Sequence, residues 1–241
     1  MKTILTKLTL ILVLVASLSS CAFDTREKLK GNKNVIKELR EVTETFDNLK
    51  VAQGINLFVR MDSETTISVE ADENVIEHIK TEISDGLLNI YIKGFSIYSS
   101  TKNVYVTLPN LSSIKASSGS SVISENLLMS DDLNITSSSG SEIQLDVDTE
   151  NIQTTASSGS SINIKGKTII SMVESSSGSS IQVSDLKSKK TTAVASSGSS
   201  ISLYSTQELI AKASSGSSIH YKGNPEIVNK KTSSGGNVSK K

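Results

Sequence analysis

The chain has 241 residues and carries 25 basic and 25 acidic side chains, so its formal net charge at pH 7 is zero. This balance, without any long run of Lys or Arg, gives no electrostatic reason to bind nucleic acid and argues against that class of partner. Aromatic residues make up only 4% and Trp is absent. Apolar burial must therefore come from aliphatic side chains in a narrow interior, or from many similar stacked layers.

Residues 1–20 are predicted to be a signal peptide. Lys2 and Lys7 supply a positive start, and the apolar run that follows is too short to span a bilayer. The run ends in "LSSC", typical of a bacterial lipoprotein signal, which predicts that Cys21, the only cysteine, carries acyl chains such as palmitate. The alternative is an ordinary secretory signal that leaves an unpaired thiol. We expect an exported outer-membrane lipoprotein, at the cell surface or facing the periplasm.

The next segment, residues 21–45, is polar and is predicted to be a tether, although "VIKELREVT" fits either a short amphipathic helix or a strand. Residues 46–110 predict irregular opening turns of a β-structure, with strands in "DNLKVAQGINLFVRM", "TTISVEA", "LLNIYIKG" and "NVYVTL". Residues 72–84 have apolar side chains at helical spacing, with Asp72 as a cap and Gly86 just beyond the end. We therefore predict one short helix there.

An element close to "SSGSS" occurs seven times after residue 111, with 18–21 residues between successive glycines. A disordered linker is the alternative for Ser/Gly-rich sequence, but linkers lack phased apolar residues. Here a β-branched aliphatic residue stands three positions after every glycine, and most repeats add another apolar residue two positions later, which is the alternation of a strand. The glycines are Gly119, Gly140, Gly159, Gly178, Gly198, Gly216 and Gly235.

We therefore predict an all-β fold in which residues 111–241 form a single-stranded parallel β-helix, or β-solenoid, with coils of 18–21 residues. Parallel stacking raises each coil by about 4.8 Å, so the steps between the first and last glycine give a rod of about 29 Å. Right-handed coiling is expected, as for parallel crossovers in general.

The glycine of each element is expected to provide a bend with positive φ, which a Cβ would oppose. The serine directly before it is expected to point inward and form a hydroxyl ladder between coils, at Ser118, Ser139, Ser158, Ser177, Ser197, Ser215 and Ser234. The serine one position earlier is expected to point outward, in a stripe that either supports the corner alone or also binds a ligand. This candidate binding stripe comprises Ser117, Ser138, Ser157, Ser176, Ser196, Ser214 and Ser233.

Several stretches together resemble a known family. They are Gly54-Ile55-Asn56 within "VAQGINLFV", "VEADENVIEHIKTEISDGLLNIYIKG", "VYVTLPNLSSIKASSGSS" and the later "SSGSS" returns. In these residues the chain resembles the putative auto-transporter adhesin head GIN domain proteins, with residues 46–238 as one GIN-type domain. The resemblance implies an exported, often lipid-anchored β-solenoid of Gram-negative envelopes with an adhesive role. The family brings no established catalytic or ligand residues.

Catalytic and metal-binding patterns are scarce. His78 and His220 are the only histidines, zinc has no Cys/His cluster, and no paired carboxylates recur on adjacent predicted coils. Weak calcium binding at Asp146 and Asp148 is the one metal alternative. We predict no catalytic residue, metal or cofactor. The expected partners are the membrane, through the lipid on Cys21, and an unidentified glycan or protein. The alternatives are a periplasm-facing structural or stress-linked protein and, less favoured, a polysaccharide-acting β-helix enzyme.

Overall fold

The computed structural model describes residues 26–241, of which 65% lie in β-strands. Residues 1–25, which include the predicted signal peptide and Cys21, lie outside the described residues. The described part begins with nine strands and one 3₁₀ turn at Ile76–His78. These strands are β1 (Glu27–Lys30), β2 (Val35–Arg40), β3 (Asn48–Val51), β4 (Asn56–Met61), β5 (Thr66–Asp72), β6 (Ile79–Ser84), β7 (Leu87–Ile92), β8 (Phe95–Tyr98) and β9 (Lys102–Leu108).

The repeats supply the remaining strands, and each coil adds one layer. The strands are β10 (Ser113–Ala116), β11 (Ser121–Ser124), β12 (Leu128–Ser137), β13 (Glu142–Ala156), β14 (Ser161–Ser175), β15 (Ser180–Ala195), β16 (Ser200–Tyr204), β17 (Glu208–Ala213), β18 (Ser218–Lys222), β19 (Ile227–Thr232) and β20 (Asn237–Lys240). Strands β13, β14 and β15 have 15 or 16 residues because they continue through a bend of the coil without interruption.

Successive coils stack in parallel, in the register that the glycine period predicts. Ile143 pairs with Ile162, which pairs with Ile181, and strands β16, β18 and β20 continue the row. The three isoleucines are fully buried, whereas the residues beside them in the strand are half-buried or exposed. The prediction of an all-β solenoid is confirmed, with about seven turns.

The narrow interior explains why the chain needs few aromatic residues. Wider parts of each coil are filled by Val, Ile and Leu, whose branched side chains suit a pleated surface. Next to the turns the inward residues become small, as in the row Ala156, Ser175, Ala195 and Ala213. Backbone hydrogen bonds run between coils, along the rod, so every added coil satisfies the polar groups of the one before it.

The first layers of the rod are assembled out of chain order. Strands β3 and β4 pair in parallel with β10 and β11 on one side and with β7 and β9 on the other. The coil of residues 48–61 therefore lies between residues 87–108 and the first repeat coil. Antiparallel strands close this end, because β5 pairs with β9, β2 with β5, and β6 with β7. These strands cover an edge that would otherwise present unpaired backbone groups.

The prediction of a helix over residues 72–84 is wrong. Strand β5 continues to Asp72, a 3₁₀ turn follows, and β6 then pairs antiparallel with β7. Asp85 and Gly86 have φ values of 51° and 72° and close this hairpin. The helical spacing arose because buried residues of the short turn and of an alternating strand fall three and four positions apart. No helix within residues 26–241 has the length and apolar character needed to cross a bilayer.

Part of the segment predicted as a tether belongs to the sheets. Strand β1 pairs with β8 in a separate two-stranded sheet, and β2 pairs with β5. Between them, the buried carboxylate of Asp72 accepts hydrogen bonds from the backbone amides of Lys33, at 2.7 Å, and Thr101, at 2.8 Å. Burial raises the pKa of Asp72, but these amides and the Lys33 charge outweigh it, and the pKa lies below its ordinary value of 3.8. Asp72 thus fixes the entering chain to the first layers.

Candidate functional site

Every serine and glycine element folds into the same tight turn. In the first copy, Ser118 and Gly119 have φ values of 53° and 71°, and the Ser120 amide donates to the Ser117 carbonyl oxygen at 3.2 Å. Two successive residues with positive φ define a type I′ turn. The Gly119 amide donates to the Ser139 carbonyl of the next coil at 3.1 Å, and the later turns repeat this bond. The turns therefore stack along one edge of the rod, which we call the first corner.

A buried row of serines lines the first corner, but it is not the predicted one. The serine before each glycine is exposed, because its left-handed backbone turns the side chain out of the coil, so its predicted inward orientation is wrong. The serine after the glycine is buried, and its hydroxyl donates to carbonyl oxygens. Ser141 Oγ lies 2.9 Å from Ala116 O in the preceding coil and 2.8 Å from Ser138 O in its own turn. The buried serines are Ser120, Ser141, Ser160, Ser179, Ser199 and Ser217.

The predicted binding stripe borders these turns. Its serines from Ser117 to Ser214 are half-buried, and Ser233 is exposed. The Ser117 carbonyl accepts hydrogen bonds from both the amide and the hydroxyl of Ser120, so this row helps to hold the turn together. The more exposed hydroxyls belong to the serine before each glycine. The stripe stays a prediction as a binding surface.

The Gly54-Ile55-Asn56 motif forms one more turn of the first corner. Gln53 and Gly54 have φ values of 65° and 69°, and the Gly54 amide donates to a serine carbonyl of the first repeat coil at 3.0 Å. Ile55 takes the place of the buried serine and is itself fully buried. Asn56 Nδ2 donates to Asn103 Oδ1 in the neighbouring layer at 3.0 Å. All three positions therefore have structural roles.

A polar and aromatic cluster lies on the outer surface of the first layers. Glu70 Oε2 accepts hydrogen bonds from Asn103 Nδ2 and Tyr105 Oη, both at 2.9 Å. These bonds, together with the charge of Lys37, lower the pKa of Glu70 against the opposing effect of burial. Tyr105 stacks on Phe58, with 4.9 Å between ring centroids, and Lys37 Nζ lies 4.3 Å from the Tyr105 centroid. The cluster ties the antiparallel strands to the parallel layers.

A second bend of the coil carries a groove of about 610 Å³. Four successive coils each contribute a triplet to it, at residues 129–131 ("MSD"), 148–150 ("DTE"), 167–169 ("KTI") and 187–189 ("KSK"). We call these four triplets the second corner. Their middle residues align in register as a row of hydroxyls, of which Thr149, Thr168 and Ser188 are buried and Ser130 is half-buried, whereas most of their outer residues are exposed. Tyr204 and Thr206 of the following coil close one end.

The charge of the second corner changes sign along the rod. Its first two triplets contain only acidic charges and its last two only lysines, and the six charged residues are Asp131, Asp148, Glu150, Lys167, Lys187 and Lys189. Asp148 Oδ2 lies 2.9 Å from Lys167 Nζ where the two halves meet. Lys187 Nζ lies 4.1 Å from the centroid of the Tyr204 ring. The groove therefore has an acidic end and a basic end.

Both histidines contact other side chains, and neither is among the residues that line this groove. The His78 ring packs against Phe95, with 4.4 Å between centroids, and His220 Nδ1 lies 2.8 Å from Ser239 Oγ. Within the described residues, no group of three or more His, Cys, Asp or Glu side chains is placed to hold a metal ion. His78 Nε2 lies 3.4 Å from Glu77 Oε1, whereas His220 contacts a serine, so within residues 26–241 neither histidine is seen between a nucleophile and a carboxylate as in a catalytic triad.

The prediction that no paired carboxylates recur on adjacent coils needs a correction. Asp146 and Asp148, the residues of the calcium alternative, each pair with a lysine of the next coil, at 3.4 Å and 2.9 Å. Carboxylates of adjacent coils nevertheless line one groove, because the register of β12 and β13 brings Asp131 to the same groove as Asp148 and Glu150. The sequence had not indicated this pairing. A signal was present, since "DVDTE", "KGKTI" and "DLKSK" recur at the solenoid period with a change of charge in their last three residues.

Solved structures of several bacterial proteins share the fold. A putative adhesin from Bacteroides fragilis NCTC 9343 has a TM-score of 0.83 at 19% identity, over 88% of this chain and 100% of that chain. A putative lipid binding protein from Parabacteroides distasonis ATCC 8503 has a TM-score of 0.75 at 19% identity, over 89% and 100%. A putative adhesin from Parabacteroides merdae ATCC 43184 has a TM-score of 0.73 at 19% identity, over 89% and 99%. At these identities the likeness shows the fold alone.

The sequence itself also matches a family. No curated protein shows a significant match to the chain. The family model described as putative auto-transporter adhesin, head GIN domain, matches residues 45–225, which contain the first layers of the rod and most of the repeats. The match includes both the Gly54 turn and the second corner. The chain therefore belongs to the putative auto-transporter adhesin, head GIN domain family.

Proposed function

We propose that this protein is a lipid-anchored solenoid of the outer membrane that acts as a non-catalytic binding module with an adhesive role. Family membership supports an exported envelope protein. The names of the structural neighbours, adhesins and a lipid binding protein, support a binding role. The anchor in this proposal is the lipid on Cys21, and the partner is a glycan or a protein.

The proposal depends chiefly on the regular outward face of the rod. On the face that follows the first corner, one outward polar residue per layer stands in an unbroken row. The row comprises Asn103, Asn56, Ser121, Glu142, Ser161, Ser180, Ser200, Ser218 and Asn237. The backbone ladder fixes the spacing of these groups at about 4.8 Å. Because the backbone of the rod is already ordered, the rod itself loses little further conformational entropy when it binds an extended partner.

The geometry of the carboxylates favours binding over catalysis. Glycan-cleaving enzymes use one carboxylic acid that is kept protonated and a second that is ionised, on either side of the bond. In the second corner, Asp131 and Glu150 are exposed, and Asp148 is ion-paired with Lys167. Nothing around these groups shields one of them from water. A polysaccharide-acting enzyme is therefore the less favoured alternative.

Protease shaving of intact cells tests the proposal. The wild-type protein is compared with a Cys21→Ala variant, which lacks the lipid site, and with a periplasmic protein as a permeability control. Loss of the rod from intact cells, with the periplasmic control intact, is the expected result and would justify screens of glycans and host proteins. Full protection until the outer membrane is opened would contradict the adhesive role and favour a periplasm-facing structural or stress-linked protein.

A further inference from the structure

We infer that the groove of the second corner binds a short zwitterionic peptide, with the peptide ammonium group at the acidic end and its carboxylate at the basic end. The inference rests on the proposed function as a binding module and assigns a ligand class to one site. It is carried by the charge, the length and the apolar rim of the groove.

The charge of the groove selects a dipolar ligand. Carboxylates occupy the triplets 129–131 and 148–150, and ammonium groups occupy the triplets 167–169 and 187–189. A ligand with charge of only one sign, lying along the groove, would meet like charge at one of its ends, which is unfavourable. A ligand with opposite charges at its two ends meets complementary groups at both. The central ion pair of Asp148 and Lys167 leaves Glu150 and Lys189 exposed on either side of it.

The length of the groove fits a tripeptide. The coils that carry Glu150 and Lys189 are two steps apart along the rod, which corresponds to about 10 Å. An extended chain of three residues spans about 10–11 Å. A tripeptide lying parallel to the rod axis therefore brings its two terminal charges to the two charged ends. The groove volume of about 610 Å³ is within the range of small-ligand sites.

Apolar side chains on the rim explain why a peptide is favoured over a small dipolar ion. Met129 is 61% exposed and Ile169 is 41% exposed, although both have large apolar surfaces. Both line the groove, one in the acidic half and one in the basic half, and the Tyr204 ring lies at its end. A peptide side chain between the two termini would cover this surface and release water.

An anionic lipid fits the same groove less well. Its acyl chain could contact Ile169, and its head group could meet Lys187 and Lys189. Carboxylates would then lie along the remaining half of the groove with no partner from the lipid. The peptide uses both halves, so we commit to the peptide and treat the lipid as an outcome of the test.

Titration calorimetry of the purified protein provides the test. The probe is Ala-Leu-Ala with free termini, compared with its N-acetylated and its C-amidated forms. We expect saturable binding of the free peptide with one site per chain, and about tenfold weaker binding of each blocked form, since each has lost one charge-assisted contact. Absence of saturable binding, or equal binding of all three forms, would overturn the inference.

Variants locate the site. Lys187→Gln combined with Lys189→Gln should weaken the free peptide about tenfold and remove the preference for a free carboxylate. The control is Lys165→Gln combined with Lys212→Gln, because both of these lysines lie outside the groove. Equal affinities in the two double variants would contradict the assigned site, and circular dichroism checks that both are folded.

Failure of the inference about the groove can be distinguished from failure of the proposed adhesive role. Sedimentation of the Cys21→Ala form, which lacks the proposed anchor, with phosphatidylglycerol vesicles but not with phosphatidylcholine vesicles, and without any binding of the peptide, would replace the peptide by an anionic lipid. If the peptide fails to bind while shaving still places the rod outside the cell, only the inference about the groove is wrong and the adhesive proposal stands. If the peptide binds and the rod proves to be periplasmic, the site stands and the adhesive role falls.

Discussion

At the first corner almost every coil repeats the same four residues, whereas at the second corner no two of the four triplets are alike. The first corner consists of neutral hydroxyls that bond to the backbone of their own and the neighbouring coil. The second corner exposes three carboxylates and three lysines around a groove. One corner is uniform and bonded internally, and the other is variable and open to solvent.

The difference follows from the backbone at each bend. A type I′ turn needs two successive residues with positive φ, which restricts the choice to Gly and a few small polar residues. The second bend lies within continuous strands, where Gly166 is the one residue of β13 to β15 with positive φ. Other side chains there are free to vary. In this protein the residues of the turn itself are therefore fixed by the backbone, whereas the second bend accepts side chains that differ from coil to coil.

The largest effect is expected from Gly166→Ala. Gly166 has a φ of 118°, and a Cβ at this position would overlap the Val147 carbonyl of the preceding coil, so two coils would have to separate. We expect a loss of about 3 kcal/mol or more in the free energy of unfolding by urea. The control at the first corner, Gly159→Ala, has no atom within 4 Å of its new Cβ and should lose about 1–2 kcal/mol, from its backbone conformation alone. Equal losses of stability in Gly166→Ala and Gly159→Ala would contradict the difference proposed between the two corners.

Acid should weaken the hydrogen bonds of Asp72, which hold the N-terminal strands to the first layers of the rod. Because the pKa of Asp72 is lower in the folded protein than its ordinary value of 3.8, its stabilising effect is complete above that value. The effect is lost as the pH falls through the lowered pKa. Asp72→Asn should cost about 2 kcal/mol at neutral pH, since a buried amide partner is left poorly paired. Melting temperatures between neutral pH and about pH 3 should fall less steeply in the variant, and identical slopes would contradict this role.

Removal of one buried hydroxyl of the first corner should have an intermediate effect. Ser179 Oγ lies 2.9 Å from Ala156 O and 2.7 Å from Ser176 O, which share its one hydrogen, and it accepts from Ser176 N at 3.1 Å. Ser179→Ala removes these bonds. We expect a loss of about 1–2 kcal/mol by chemical denaturation. Ser177→Asn is the matched control in the same turn, because Asn tolerates the left-handed backbone and the side chain is exposed. If the control is the more damaging change, the assignment of the buried row is incorrect.

The smallest effect is expected from the ion pairs beside the second corner. Lys165 and Lys167 pair with aspartates of the preceding coil, but their side chains are 66% and 70% exposed. The double variant Lys165→Gln and Lys167→Gln should therefore lose less than about 1 kcal/mol, and this loss should become smaller at high salt, because exposed charges are screened. Thermal melts at low and high salt measure this. A loss larger than that of Ser179→Ala would show that the second corner is needed for folding.

Sequence periodicity was sufficient to predict the repeat region because one short rule governs it. A glycine every 18–21 residues and a β-branched residue three positions later determine both the turn and the inward row. The rule fails inside the turn itself. Strict alternation carried through Ser118 predicts an inward side chain, but alternation holds only for extended backbone, and this residue is left-handed. The buried position passes to Ser120.

The remaining features depend on contacts between distant residues. Residues 72–84 have a pattern that a helix and a turn with a strand can share, and pairing of β6 with β7 decides between them. Strand β2 joins the sheet only because β5 is present to pair with it. The groove likewise needs the register of four coils, since no single triplet looks like a site. Comparison of the charged residues at equivalent positions of successive coils would have indicated the groove.

The out-of-order coil limits the order in which the chain can fold. Asp47 and Ser112 are bonded at 2.7 Å across 65 positions, whereas contacts between repeat coils, such as Asn151 with Asp132, join residues 19 apart. Non-local pairing is slow, because a long loop must close first. A chain that crosses a membrane N-terminus first therefore holds residues 48–61 unpaired until their partners at 87–124 have followed. Each later coil finds its template already in place.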